Sequence, residues 1–195
     1  MAQINLMSLN VRGLNTPEKH SMLAQEIDRQ RADITFIQET HFRGEAQPRI
    51  RAKHLQQSYH SNYRKSKSRG VAILVNTRAA LTDTTVKADP GGRFLFVKGK
   101  CLGTQVTLAN IYAPNTDQGS FARSCLNKLE AFAEGMVIIG GDWNMVLDHS
   151  IDSTTHTMDK RRHQRTLLAN ALFAHQLMDC WRITHPQDRD YTYTT

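Results

Sequence analysis

The residues best suited to chemistry stand at the end of an apolar run, Met136-Val137-Ile138-Ile139-Gly140-Gly141-Asp142-Trp143-Asn144. Asp142 and Asn144 offer a carboxylate and an amide two residues apart at a strand-to-loop junction. Asp-x-Asn in a loop is also ordinary turn chemistry, so the pattern does not decide between the two on its own. Two further apolar runs finish the same way, residues 4–10 in the amide of Asn10 and residues 33–39 in the carboxylate of Glu39. A small set of oxygen ligands suits Mg²⁺, with Mn²⁺ as a substitute, because such an ion keeps several waters and rarely needs a full protein cage.

These groups can meet only if the intervening elements bring them together. Residues 136–139 read as a buried strand, and the two glycines permit a sharp turn or a close approach at its end. Thr16-Pro17-Glu18 has the chemistry of a helix start: a capping hydroxyl, a proline at the first position and an acid at the positive end of the dipole. Leu23 and Ile27 then share one helical face. Strand, helix, strand places Asn10 and Glu39 on one rim of a sheet if the strands are parallel, and such rims are where layered α/β structures bind ligands. Further along, residues 71–75, 93–97 and 104–112 read as strands, 89–92 as a turn and 99–103 as a hairpin connection. Residues 117–133 read as a helix ended by Gly135, with Leu126, Leu129 and Phe132 on one face. Residues 159–178 repeat the pattern with Leu168, Leu172 and a half-buried His175, while Asp148-His149 reads as loop. Hairpins alternating with helices argue for α+β layers and against a Rossmann sheet.

The composition sets bounds. A chain of 195 residues is long enough for one domain, 1–195, with a real core. No apolar run reaches membrane-spanning length, and the N-terminus lacks a secretory pattern. Cys101, Cys125 and Cys180 are widely spaced, which suggests reduced thiols of an intracellular protein and no zinc site. The net charge is +7, and residues 41–70 hold a surplus of that same size: eight Lys or Arg against Glu45. Arg43, Arg64, Lys65, Lys67 and Arg69 stand there with Phe42, Tyr59 and Tyr63, a mixture that fits contact with a phosphate backbone or a plain solvated surface. A second basic cluster, Lys160-Arg161-Arg162-His163-Gln164-Arg165, opens a helix, where a solvated helix face fits at least as well.

Five motifs in order carry a resemblance: Asn10-Val11-Arg12-Gly13-Leu14, Ile37-Gln38-Glu39-Thr40, Arg69-Gly70-Val71-Ala72-Ile73, Asn110-Ile111-Tyr112-Ala113-Pro114 and Gly141-Asp142-Trp143-Asn144. Over residues 4–195 the chain resembles the endonuclease/exonuclease/phosphatase family, and within it the apurinic-type endonuclease domain of non-LTR (LINE-type) retrotransposons. The resemblance implies two mixed β-sheets packed face to face with helices outside. It also implies that Glu39 is the main Mg²⁺ ligand with Asn10 beside it, and that Asp142 positions or activates the attacking water. Asn144 would hold the scissile phosphate, Tyr112 would set its hydroxyl against a phosphate oxygen, and Thr192 would join the basic residues on DNA. Taken singly, Asn10 also fits a turn, Glu39 a solvated strand end and Tyr112 a rim aromatic. The family pattern continues into a Ser-Arg-Ile-Asp strand and a Ser-Asp-His that are absent here, so the expectation is a C-terminally incomplete domain lacking its last strands.

Three functions follow as expectations. One is Mg²⁺-dependent nicking of DNA at a retrotransposon target, inside the cell and in the nucleus, with a reverse transcriptase in the parent polyprotein. Another is the same fold acting on a different phosphoester. The third is a catalytically incomplete fragment that binds nucleic acid.

Overall fold

A computed structural model describes residues 3–153 and 161–189. Its residues fall into two compact units, Met1–Tyr112 with Ala131–Asp142, and Ala113–Glu130 with Trp143–Thr195.

The first unit is built on two four-stranded sheets. β1 (Leu6–Asn10) leads through α1 (Pro17–Gln30) to β2 (Ile34–Gln38), and these two strands are parallel, with Asn10 opposite Gln38. The rim expected from the sequence is therefore formed. β3 (Leu55–Ser61) and β4 (Val71–Asn76) complete the sheet in the order β1-β2-β4-β3. The second sheet, β5-β6-β7-β8, contains β5 (Thr82–Ala88), β6 (Phe94–Cys101), β7 (Thr104–Tyr112) and β8 (Met136–Asp142). β7 and β8 are parallel and the other pairs antiparallel, so both sheets are mixed.

Period-two alternation explains how the layers pack. On β4, Val71, Ile73 and Val75 face the other sheet and meet Leu95, Val97, Val106 and Leu108. Ala72 and Leu74 face the opposite way and pack with Leu23, Ala24 and Ile27 of α1. α1 begins as its sequence dictates: Thr16 accepts from the Lys19 backbone N–H, and Pro17 holds the first position. It ends at Arg31 in the left-handed conformation, whose N–H returns to Asp28 and Ile27.

Three sequence expectations need correction. Residues 136–139 are only half-buried, and Met136 is 57% exposed, because β8 is an edge strand among the described residues. The strand also runs on through Gly140-Gly141 to Asp142 without turning. The glycines are there for closeness: a Cβ on Gly140 would lie 2.4 Å from the Phe36 ring, and one on Gly141 2.2 Å from the Ile111 carbonyl oxygen. The hairpin expected over 99–103 is tighter, since β6 pairs through Cys101 and only Leu102-Gly103 turn.

A buried polar clamp crosses the apolar interior between the sheets. Asn110 on β7 is fully buried and donates to the carbonyls of Ile37 at 2.8 Å and Ala72 at 2.7 Å, on the two central strands of the other sheet. Its Oδ1 accepts from Gln38 Nε2 at 2.8 Å. All three bonds lie in the low-dielectric interior, where a missing partner is costly.

The second unit contains α2 (Gln118–Glu130), the short α3 (His149–Asp152), α4 (Arg162–Ala174) and α5 (Cys180–Thr184). α2 ends at Glu130, short of the Gly135 stop expected from the sequence. α4 is likewise shorter than residues 159–178, and residues 154–160 lie outside the described residues. Ala122, Cys125, Leu126 and Leu129 of α2 are buried, as are Leu168 and Ala171 of α4. His175 follows α4, with Nε2 3.2 Å from Asn127 Oδ1. Asp148, expected in loop, caps α3 through a bond from the Ser150 N–H. Cys101, Cys125 and Cys180 are free. No helix among the described residues is long and apolar enough to cross a membrane.

Two measurements test this account. Asn110→Leu leaves Gln38 Nε2 with only its longer bond to Ser8 Oγ at 3.3 Å and takes a donor from each of two carbonyls, and is expected to lower unfolding free energy by about 3 kcal/mol in urea titrations. Gln38→Leu should then cost less in that background than in the wild type, because its partner is already gone; additive losses would remove the clamp. His60 lies 6.0 Å from the Phe42 ring with neither ring nitrogen hydrogen-bonded, and burial pulls its pKa from 6.5 down to about 4. The unfolded chain takes up this proton below 6.5 and the folded chain only near 4, so stability is full above pH 6.5 and falls as pH drops. At pH 5 the loss is about 2 kcal/mol, and His60→Leu should abolish that part of the acid dependence.

Candidate active site

β1 and β8 are the outer strands of their respective sheets, and their last residues meet. Asn10 Nδ2 donates to Glu39 Oε1 and to Asp142 Oδ2, at 2.9 Å in each case. The Arg12 backbone N–H donates to Asn10 Oδ1 at 3.0 Å, which fixes the amide so that its nitrogen faces the two carboxylates. Tyr112, opposite Asp142 in the β7–β8 ladder, donates its hydroxyl to Glu39 Oε1 at 2.9 Å. Four residues expected from the sequence thus converge: Asn10, Glu39, Tyr112 and Asp142.

The backbone that holds Glu39 is strained. Glu39 has φ +55°, and Arg12 and His41 nearby have φ +46° and +58°. Such left-handed conformations in non-glycine residues cost of order 1 kcal/mol and persist only where the surroundings impose them. Here the surroundings are explicit: Gly13 N–H donates to Glu39 O, Leu14 N–H to Thr40 O, Thr40 N–H to Gly70 O and His41 N–H to Arg69 O. Lys19 Nζ braces the preceding loop, donating to the Arg12 and Gly13 carbonyls at 2.9 Å.

The electrostatics follow from this packing. Burial works against Glu39's charge, but hydrogen bonds from Asn10 and Tyr112, together with His41, outweigh it and hold the carboxyl below its ordinary range. Burial, the bond to Glu39 and Glu39's charge push the Tyr112 phenol up to about 12, with Arg93 acting the other way. Tyr112 is therefore a neutral donor near neutral pH. The donor set is hard and oxygen-rich, and it presents a carboxylate beside a second carboxylate. Among the described residues no three His, Cys, Asp or Glu side chains form a cluster able to hold a metal. A small, strongly hydrated cation such as Mg²⁺, bound by few protein atoms, fits this arrangement.

Asn144 belongs to the second unit, with φ +50° and Nδ2 donating to the Ala113 carbonyl at 2.7 Å. Of the basic residues, Arg43, Arg64, Lys65 and Lys67 are exposed, while Arg69 is half-buried with its guanidinium 4.5 Å from the Tyr63 ring. Thr192 lies outside the described residues. Two site residues were not singled out from the sequence. His41 places Nε2 3.3 Å from Glu39 Oε2, and its position two residues beyond Glu39 was the available signal. Arg93 lies 4.8 Å from the Tyr112 ring centre, and only its position after the 89–92 turn could have marked it.

The chain is similar to known proteins in sequence and in fold. An uncharacterized 149 kDa protein of transposon TX1 from Xenopus laevis is 24% identical over 194 residues. The aligned part is 97% of this chain and 14% of that protein, so the chain spans a small part of that relative's length. The AP endonuclease LMAP from Leishmania major superposes with TM-score 0.76 at 14% identity, over 95% of this chain and 70% of that one. The endonuclease domain of TRAS1, a telomere-specific non-LTR retrotransposon, gives TM-score 0.60 at 17% identity, over 89% of this chain and 71% of that one. The sandwich is therefore the DNase I-like fold of AP endonucleases. Residues 7–195 match the profile of one family throughout, and the chain belongs to it: the Endonuclease/Exonuclease/phosphatase family.

Proposed function

We propose that this chain hydrolyses phosphodiesters in DNA, nicking one strand with the help of Mg²⁺. The observation that carries the reading is the Asn10 amide, which draws Glu39 and Asp142 to one rim beside the Tyr112 hydroxyl. Glu39 would hold the cation, with Asn10 next to it orienting both carboxylates. Bound there, Mg²⁺ supplies positive charge for the phosphoryl and leaving oxygens.

The chain's own residues account for the rest. Asp142 accepts a proton from the attacking water and aims it; its carboxylate is held in place by Asn10. Tyr112 keeps its proton and, with substrate bound, would shift its one hydrogen bond from Glu39 Oε1 to a phosphoryl oxygen as charge builds there. Asn144 is assigned to the scissile phosphate on the family resemblance alone. The basic residues between Arg43 and Arg69 supply salt-sensitive, sequence-independent attraction to the backbone. The proposal extends to target-site cleavage in the nucleus, beside a reverse transcriptase on the same polypeptide; the transposon origin of the 149 kDa relative supports the polyprotein context.

The test is conversion of supercoiled plasmid to nicked circle, with Mg²⁺ and with chelator. Asp142→Asn is expected to lower the rate by about 10²–10⁴-fold. Tyr112→Phe should lower it by about 10²-fold, chiefly in kcat. Retention of DNA without nicking would favour a binding protein, and turnover of a small phosphodiester but not plasmid would favour a different substrate.

A further inference from the structure

Two arginines beside the carboxylate cluster share an unusual environment. Gly70 and Gly92 press their backbones together: the Gly70 N–H donates to the Gly92 carbonyl at 3.2 Å, and a Cβ on Gly92 would lie 2.9 Å from the Tyr63 nitrogen. Their neighbours Arg69 and Arg93 are thereby brought side by side from different parts of the chain. Each guanidinium lies over a tyrosine ring, Arg69 at 4.5 Å from the Tyr63 centroid and Arg93 at 4.8 Å from that of Tyr112. Both residues are half-buried, whereas Arg64, Lys65 and Lys67 extend into solvent. Burial and the charge of Arg69 push the Arg93 guanidinium below its ordinary pKa.

Like charges drawn together out of water repel, and stacking on aromatic faces offsets only part of that cost. The backbone holds the pair regardless. The Arg69 carbonyl accepts from the His41 N–H at 2.8 Å, and the Arg93 carbonyl accepts from the Tyr112 N–H at 2.7 Å. One arginine is thus tied to the loop that carries Glu39, and the other to the strand end that carries Tyr112. Planar, paired guanidiniums are suited to the oxygens of a phosphate, which they can grip in a fork.

We propose that Arg69 and Arg93, each laid on a tyrosine ring, form a clip for one phosphodiester group of the strand being cut, next to Tyr112. The clip rests on the nuclease reading for its ligand and assigns Arg93 and Tyr63 a part in it. Exposed cations of the 64–67 loop raise affinity generally; the clip fixes the register of the strand against the carboxylates.

The experiment measures binding of a labelled DNA duplex in chelator, so that nothing is cut, across a range of salt concentrations. Arg69→Gln and Arg93→Gln are each expected to weaken binding and lower the slope of log affinity against log salt, and the double variant to lower it by about 0.9, the one phosphate that both hold. The double variant should lose less affinity than the sum of the single losses, since both grip one group. Arg93→Lys, which keeps the charge and places less demand on folding, should retain the slope and lose that coupling. Wild-type slopes in both Gln variants would overturn the clip while leaving plasmid nicking, and the nuclease reading, untouched. Reduced slopes in a chain that never nicks plasmid would keep the clip as a phosphate site and overturn the nuclease reading instead.

Discussion

The geometry of the carboxylate cluster depends on one buried side chain. Asn110 joins two central strands of one sheet to a central strand of the other, and each of its polar atoms is used. Hydrophobic packing between sheets is non-directional, so apolar residues alone would tolerate small slides of one layer over the other. A buried amide tolerates none without leaving donors and acceptors unpaired. Glu39 follows Gln38 directly, and Tyr112 lies two residues beyond Asn110. The clamp therefore fixes where the Glu39 loop stands relative to the strand end bearing Tyr112, and through the β7–β8 ladder, relative to Asp142.

Above that clamp, support and chemistry are carried by the same few groups. Asn10 satisfies the Arg12 N–H and two carboxylates at once, so it closes the sandwich at one end while aiming the acids. The left-handed backbone at Arg12, Glu39 and His41 shows that the loops were not free to relax into ordinary turns. A network of backbone bonds from Gly13, Leu14, Thr40 and His41 offsets the strain. Side chains that must meet a phosphate at a set distance gain from such rigidity, since a misplacement of about 1 Å can cost 10²-fold in rate.

Much of this was legible in the sequence. Runs ending in Asn10, Glu39 and Asp142 marked strand ends, and Thr16-Pro17 marked α1, because these signals are local and depend on residue type and period. The face-to-face packing of two mixed sheets came from the resemblance carried by the five motifs. Less legible were features set by tertiary contact. Gly140 and Gly141 look like a turn, yet they are small because Phe36 and the Ile111 carbonyl, distant in sequence, fill the space. The apolar 136–139 run implied a buried strand, but burial depends on neighbours that a single run does not specify. Gln38 and Asn110 lie 72 residues apart, and nothing local distinguishes a clamp from two ordinary polar residues.

The basic segment shows why charge counts and positions carry different information. Counting assigns residues 41–70 the whole surplus of the chain and leaves every Lys and Arg in it equivalent. Folding separates them. Arg64, Lys65 and Lys67 remain solvated, where a charge acts through its field and is screened within about 8 Å at physiological salt. Arg69 is drawn in and laid against Tyr63, and the bond between Gly70 and Gly92 sets its backbone beside that of Arg93 from another turn. The first group can influence how often an anionic polymer arrives and the second how it is held, so neutralising them affects different quantities. On the proposed reading, association would depend on the solvated cations and alignment over Glu39 and Asp142 on the half-buried pair, whose backbones are bonded to the loop carrying Glu39 and the strand end carrying Tyr112.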